Sequence, residues 1–194
     1  MNSSNHKVII MSSPSGGGKT TIMKRLLKDY PELEFSISAC SRSPRDGEIE
    51  GKDYYFLTVE EFQKKIADNE FLEWEEVYEG MFYGTLKSEV KRIWNKEHVV
   101  VFDVDVVGGN NLKNYFKEQA LAIFIMPPSV EVLRDRLLMR GTETVESIDI
   151  RVARAEYELT FSDKYETIII NDDIETAVRE AKEAVSDYLY GKEK

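Results

Sequence analysis

Apolar residues along the chain follow two repeating patterns. Mostly apolar runs of four to six residues, rich in Val and Ile, are typical of strands that are covered on both faces of a parallel sheet. Such runs occur at 7–11, 99–102, 121–126 and 167–170. Between them, apolar residues that recur at steps of three and four predict amphipathic helices. These helices are predicted at 19–28, 130–137, 145–159 and 174–188. The alternation predicts an α/β fold with a parallel sheet as the middle of three layers.

The stretch 35–96 has a shorter pattern, in which apolar and polar residues alternate as they do in half-exposed strands. Such strands are predicted at 35–38, 53–57, 71–78 and 81–85. Helices are predicted after the capping box Thr58-x-x-Glu61 and over 86–95. We therefore expect 35–96 to be an inserted mixed α+β subdomain. The core of a single domain, 1–194, would be formed by 7–34 and 97–194.

A loop of small residues separates the first predicted strand from the first helix. Its residues are Ser13, Pro14, Ser15, Gly16, Gly17, Gly18, Lys19, Thr20 and Thr21. Glycines let successive N–H groups point at one anion, and the start of a helix adds free N–H groups and a positive dipole end. In the P-loop pattern G-x-x-x-x-G-K-[ST], Gly18, Lys19 and Thr20 match, whereas Ser13 occupies the first glycine position. The loop predicts a phosphate site; a Gly/Ser-rich turn without a ligand is the alternative.

The charge balance restricts what the protein can bind. The chain has 26 basic and 36 acidic residues, so its net negative charge repels the phosphates of a nucleic acid. Any anion must therefore be held by a local cluster of basic residues. No apolar window is long enough to span a membrane, and the polar start lacks the apolar stretch of a signal peptide. We therefore expect a cytoplasmic protein without a nucleic-acid or membrane partner. With one cysteine, Cys40, no intramolecular disulfide is possible.

Acidic residues follow one of the predicted strands at its carboxyl end. Asp103 and Asp105 come directly after the apolar run 99–102. Open α/β sheets bind their ligands at this edge, so we expect Asp103 to face the phosphate loop.

The insert carries a second set of candidate phosphate ligands. Arg42 and Arg45 lie three residues apart around a proline, and their guanidinium groups match the oxygens of phosphate. Tyr54 and Tyr83 can add neutral O–H donors. The alternative is that the arginines form ordinary surface pairs with carboxylates such as Glu48. Together with the loop, these residues predict two phosphate sites that face each other, and hence phosphoryl transfer between two nucleotides.

Nine motifs, in one order along the chain, carry a resemblance to a known family. They are Ser13-Pro14-Ser15-Gly16-x-Gly18-Lys19-Thr20, Ser41-Arg42-x-Pro44-Arg45-x-Gly47-Glu48, Gly51-x-Asp53-Tyr54-x-Phe56, Glu70-Phe71-x-Glu73-Trp74, Tyr83-Gly84-Thr85, Asp103-Val104-Asp105, Pro127-Pro128-Ser129, Arg140-Gly141-Thr142-Glu143-Thr144 and Asn171-Asp172-Asp173. On these motifs the chain resembles the guanylate kinases, from 8 to about 190.

The resemblance implies a P-loop NTPase core, with 35–96 as the GMP-binding insert and 140–158 as a short lid. It implies the transfer of the ATP γ-phosphoryl group to GMP, giving ADP and GDP, with Mg²⁺ as cofactor. Use of dGMP and the oligomeric state stay open.

On the ATP side, the resemblance assigns the phosphates to the loop 13–21 and the adenine to contacts near Asn171. Mg²⁺ is assigned to Thr20 and Asp103, directly or through water. The implied catalytic residues are Lys19, Arg42, Arg136, Arg140 and Arg151. For the last three, pairing with carboxylates on helix surfaces is the alternative.

On the GMP side, the resemblance assigns the phosphate to arginines and tyrosines and the guanine to acceptors and hydroxyl groups. The implied ligands are Ser38, Arg42, Arg45, Tyr54, Glu73, Tyr83, Thr85 and Asp103. Glu73 suits guanine because one carboxylate can accept from both N1–H and the 2-amino group, neither of which adenine presents there. A kinase for another nucleoside monophosphate is disfavoured for this reason.

Three residues depart from the family pattern. Ser13 stands in place of a glycine, Cys40 in place of a hydroxyl residue, and Val107 where Gln is common in Asp-x-Asp-x-Gln-Gly. The Val107 side chain has no polar atom for the contact near Asp105 that Gln would make. Two other classes are disfavoured. A binding module that has lost the chemistry is disfavoured by the intact Gly-Lys-Thr sequence. A P-loop GTPase would need an Asn-Lys-x-Asp guanine reader, and Asn171-Asp172-Asp173 is not one.

Overall fold

In the computed structural model, residues 6–139 and 145–191 are described. Over these residues the strands are β1 (Val8–Ser12), β2 (Leu33–Phe35), β3 (Ala39–Cys40), β4 (Tyr55–Phe56), β5 (Phe71–Tyr78), β6 (Met81–Leu86), β7 (Val99–Asp103), β8 (Ala120–Met126) and β9 (Thr167–Ile170). The α-helices are α1 (Lys19–Asp29), α2 (Val59–Ala67), α3 (Lys87–Trp94), α4 (Val106–Phe116), α5 (Val130–Met139), α6 (Val145–Leu159) and α7 (Ile174–Tyr190). None of the helices in these ranges is long and apolar enough to cross a membrane.

The central sheet is parallel, with the strand order β2-β7-β1-β8-β9 among the described residues. Side chains of β1 alternate between its two faces: Ile9 and Met11 pack towards α1 and α7, whereas Val8 and Ile10 pack towards α3 and α4. All four are fully buried. The predicted three-layer arrangement is therefore present, and the carboxyl ends of β1 and β7 lie side by side.

A second sheet lies within 39–86 and has the order β4-β3-β6-β5 over the described residues. Strands β5 and β6 form the predicted antiparallel hairpin, and β3 pairs with β4 in parallel. Helix α2 covers this sheet through Phe62, whose ring stacks on Phe71 at a centroid distance of 4.3 Å. The predicted capping box at the start of α2 is formed by both of its hydrogen bonds.

The structure differs from the sequence prediction at several places, two of which have a clear physical reason. The stretch predicted as a strand at 35–38 leaves the central sheet after Phe35, because the N–H of Ile37 donates to the Glu89 side chain at 3.0 Å instead of to a strand. Helix α4 was not predicted, since Gly108 and Gly109 in its first turns have low helix propensity. Burial of its apolar face stabilises it, and the Asp105 side chain caps it.

Glu34 on β2 connects the central sheet to the residues around α3. Its carboxylate accepts hydrogen bonds from Lys96 and His98, each at 2.8 Å, and pairs closely with Arg92. Burial acts to raise the pKa of Glu34, but the hydrogen bonds from Lys96, Arg92 and His98 outweigh it and lower this pKa from 4.5 to about 2. The ionised form is thus favoured by the folded state.

We predict that Glu34 makes the stability of the protein depend on pH on the acid side. A lowered folded-state pKa stabilises the protein above pH 4.5, and this contribution is lost as the pH falls towards 2. Urea unfolding should show wild type more stable than Glu34→Gln by ~1–2 kcal/mol at pH 7, after allowance for solvent screening, and by much less at pH 3. The exposed Glu183→Gln serves as the control. A difference that is the same at both pH values would contradict the assignment.

Candidate active site

The loop between β1 and α1 has the backbone geometry of an anion site. Gly16 and Gly18 adopt left-handed φ angles of 94° and 95°, and no side chain caps the start of α1 within the described residues. A side chain at Gly18 would collide with Asn171, whose amide donates to the Gly17 carbonyl at 2.7 Å. Ser13 fits at the first glycine position, where its hydroxyl donates to the Pro14 carbonyl at 3.1 Å. The N–H groups at the start of α1 are therefore left for a ligand.

Lys19 extends from the first turn of α1 to the end of β7. Its ammonium group forms a close ion pair with Asp103 and donates to the Val104 carbonyl at 3.0 Å. The Asp103 carboxylate thus lies beside the loop, as the strand-end rule predicts. Thr20 and Asp103 line the same cavity.

This cavity has a volume of about 1040 Å³ and is lined by every loop residue from 13 to 21. A second cavity of about 540 Å³ adjoins it and extends to the second sheet. The two cavities share the lining residues Ser15, Ser38, Tyr54, Asp103, Val104, Asp105 and Arg154. One continuous cleft therefore runs from the phosphate loop to the insert.

The second cavity brings together most of the predicted GMP ligands. It is lined by Ser38, Arg45, Tyr54, Glu73, Tyr83 and Asp103. Thr85 is 1% exposed and is not among the lining residues, but its hydroxyl group donates to the Glu73 carboxylate at 2.7 Å. Burial raises the pKa of Glu73 to about 6, although the hydrogen bond from Thr85 acts against this rise. The two carboxylate oxygens of Glu73 are largely buried and receive few hydrogen bonds from the described residues. They therefore suit a ligand that supplies its own N–H donors.

Arg42 is placed differently from Arg45. Its guanidinium group binds Glu48 through two hydrogen bonds of 2.6 and 2.7 Å, and its Nε donates to the Tyr83 hydroxyl at 3.1 Å. The hydrogen bonds with Arg42 lower the pKa of Glu48 to about 2. Arg42 also stacks over the Tyr54 ring at 5.0 Å. The pairing with Glu48 that the sequence left open as an alternative is therefore formed here.

Arg136 on α5 and Arg151 on α6 line different cavities. Arg151 lines the large cavity and contacts the Ser15 hydroxyl of the loop. Arg136 lies in a third cavity of about 520 Å³ with Gly16, Gly18 and Asn171, and donates to the Asn171 carbonyl at 2.8 Å. The structure thus does not bring Arg136 into the cleft shared by the first two cavities. Arg140 lies outside the described residues.

The cleft also contains charged residues that the predicted set leaves out, among them Asp105, Arg154 and Glu75. Asp105 caps α4 with one oxygen, which accepts from the Gly108 N–H at 2.8 Å, and its other oxygen lies 3.9 Å from Arg154. Arg154 follows Arg151 by three residues, a spacing that places both on one helix face. Glu75 follows Glu73 by two, as residues on one strand face do. These spacings could have identified Arg154 and Glu75 from the sequence.

Comparisons with known proteins agree on one family. The family model described as guanylate kinase matches residues 5–188. The guanylate kinase of Bacteroides fragilis is 54% identical over 94% of this chain and 90% of its own length, and that of Porphyromonas gingivalis is 50% identical over 94% and 98%. The crystal structure of guanylate kinase from Anaplasma phagocytophilum covers 95% of this chain and 87% of its own, with 32% identity and a TM-score of 0.74.

Proposed function

The chain belongs to the guanylate kinase family, and we propose that the cleft described above is where it transfers the γ-phosphoryl group of ATP to GMP. The family, the α/β P-loop fold and the ATP:GMP phosphotransferase activity predicted from the motifs are confirmed by the relatives. The assignment of roles to residues is our proposal. The observation that carries it is that the phosphate loop and Glu73 line adjoining cavities of one cleft.

On the ATP side, we assign the phosphates to 13–21 and Lys19, and the adenine to the third cavity beside Asn171. The position of Arg136 in that cavity favours a role at the adenine end rather than at the transferring group. Arg151 contacts the loop and is assigned to the γ-phosphate.

On the GMP side, Glu73, Thr85 and Ser38 are assigned to the guanine, and Arg45, Tyr54 and Tyr83 to the phosphate. These assignments are supported by the shared lining of the second cavity and by the burial of Glu73. Arg42 would reach the phosphate by exchanging Glu48 for a phosphate oxygen, while its Nε keeps Tyr83 in place. Functionally, we propose 7–34 and 97–194 as the core, 35–96 as the GMP-binding insert and 140–158 as the lid.

Kinases that use ATP generally need a divalent metal, and we propose Mg²⁺ here. The hydroxyl group of Thr20 and the carboxylate of Asp103 are hard oxygen donors that line one cavity next to the loop. Mg²⁺ is commonly held by one or two such groups together with phosphate oxygens and water, so these residues fit the ion. When bound, Mg²⁺ would neutralise negative charge on the phosphates.

The reaction needs no general base, because a phosphate oxygen of GMP is already ionised near pH 7. The work of the protein is to hold two anions that repel each other and to stabilise the charge that develops between them. Lys19, Arg151 and Arg154 supply positive charge along the cleft. Exclusion of water while both nucleotides are bound would suppress the hydrolysis of ATP.

An acceptor panel tests this proposal. The purified protein is supplied with Mg-ATP and with GMP, dGMP, AMP, UMP or CMP, and the formation of diphosphate is followed. GMP should be phosphorylated with a kcat/KM on the order of 10⁴-fold above that of AMP, since AMP brings no N–H donors to the buried Glu73 carboxylate. Equal use of AMP or of a pyrimidine nucleotide would contradict the proposal.

A further inference from the structure

Glu89 on α3 is a buried carboxylate to which no role is assigned above. It is 2% exposed and lines neither of the two cavities that form the cleft. Its Oε1 accepts from the Ile37 N–H at 3.0 Å and from Arg92 at 2.7 Å. Its Oε2 accepts from the Tyr55 hydroxyl and from Arg92, each at 2.9 Å. A carboxylate is costly to bury, and these four hydrogen bonds stabilise it in one orientation.

Helix α3 fixes Glu89 to the core of the protein. Val90 and Ile93 of this helix belong to the apolar cluster on one face of the central sheet. Arg92, which binds Glu89 through two hydrogen bonds, also pairs closely with Glu34 of β2. The Glu89 carboxylate is therefore held by the same sheet that carries the phosphate loop.

The other two donors to Glu89 belong to the insert, and each is next to a residue assigned to GMP. Ile37 directly precedes Ser38. Tyr55 directly follows Tyr54. Ser38 and Tyr54 line both cavities of the cleft, and the Tyr55 N–H donates to the Ser38 carbonyl at 2.9 Å. Glu89 thus binds the two segments that carry these ligands, from outside the cleft.

The stretch 36–38 is where the chain passes from the central sheet into the insert. The Ser36 N–H still donates to the Val101 carbonyl of the sheet, at 2.9 Å. The next N–H, that of Ile37, donates to Glu89 instead. A buried N–H group needs an acceptor, so the carboxylate determines the direction in which the chain leaves the sheet. This direction sets the position of Ser38 in the cleft.

We propose that Glu89 is a positioning residue for GMP. Through Ile37 and Tyr55, it fixes the neighbouring residues that bind the nucleotide, one at the guanine and one at the phosphate. The inference rests on the proposed GMP site. It predicts a loss of affinity for GMP when the carboxylate is changed, whereas ATP, which is assigned to the phosphate loop, is affected little.

The test uses the full chain and measures initial rates with GMP and Mg-ATP varied in turn. Glu89→Gln keeps the size of the side chain but turns an NH₂ group towards donors, so at least one hydrogen bond is lost. The KM for GMP should rise about tenfold, with kcat and the KM for ATP within about twofold. Tyr55→Phe removes one donor and should raise the KM for GMP about threefold. Lys91→Gln, on the exposed side of the same helix, is the matched control and should change neither KM.

A purely structural role of Glu89 would give a different pattern. A loss of folded molecules lowers the concentration of active sites, so the apparent kcat falls while both KM values stay unchanged. A thermal melt and a calorimetric titration with GMP below the melting temperature would separate this effect from a loss of affinity.

Three results for Glu89→Gln would overturn the inference. They are an unchanged KM for GMP, an equal rise in the KM for ATP, and a fall in kcat alone. If this variant does not fold, Tyr55→Phe decides the question by the same criteria, because it removes a single hydroxyl group. Failure of the wild-type protein to phosphorylate GMP would instead overturn the proposed function, so the two failures are distinguishable.

Discussion

Lys19→Ala should lower kcat/KM for phosphoryl transfer by about 10³-fold or more, while the protein still folds. The ammonium group is the full positive charge within the phosphate loop, and it also neutralises Asp103. Its removal leaves an unpaired carboxylate beside the place assigned to the ATP phosphates, so that repulsion is added to the loss of attraction. A coupled assay of ADP release, together with a thermal melt, measures both properties.

The control for this variant is Lys24→Ala, which removes a lysine from the exposed side of the same helix. It should leave turnover unchanged. Near-normal turnover of Lys19→Ala would show that the loop does not bind the transferring phosphates.

Glu73→Gln is expected to have the second large effect, and it should be confined to the acceptor. The amide keeps the size of the side chain and one acceptor oxygen, but its NH₂ group faces one of the guanine donors instead of accepting from it. We expect kcat/KM for GMP to fall by about 10²-fold or more, with the KM for ATP within about twofold.

Initial rates measured with each substrate varied in turn would separate the two effects. Glu76→Gln, on the exposed side of the same strand, provides the control. An unchanged KM for GMP in Glu73→Gln would remove Glu73 from guanine recognition.

Local sequence features predicted the parts of the fold that depend on neighbours in the chain. The capping box at Thr58 is formed as predicted, because both of its hydrogen bonds lie within one helical turn. Asp103 was placed beside the loop by a general rule about strand ends, and it pairs with Lys19.

Features that depend on contacts between distant segments were not predictable in this way. Helix α4 has weak local signals and forms because its apolar face is buried and Asp105 caps it. The placement of Glu75 and Asp105 in one cavity depends in turn on the packing of α4 against β5. The pairing of Arg42 with Glu48 lay within reach of the sequence, but two partners, phosphate and carboxylate, satisfy the same guanidinium geometry.

The central claim is that the phosphate loop and the guanine reader belong to one cleft that holds both nucleotides end to end. The most direct measurement is the binding of a compound in which adenosine and guanosine are joined through a chain of five phosphates, one more than ATP and GMP carry together. Calorimetry should show one molecule bound per chain, at least about 100-fold tighter than either nucleotide, and displaced by both ATP and GMP. Competition with only one of the two nucleotides, or binding no tighter than that of ATP, would contradict the account.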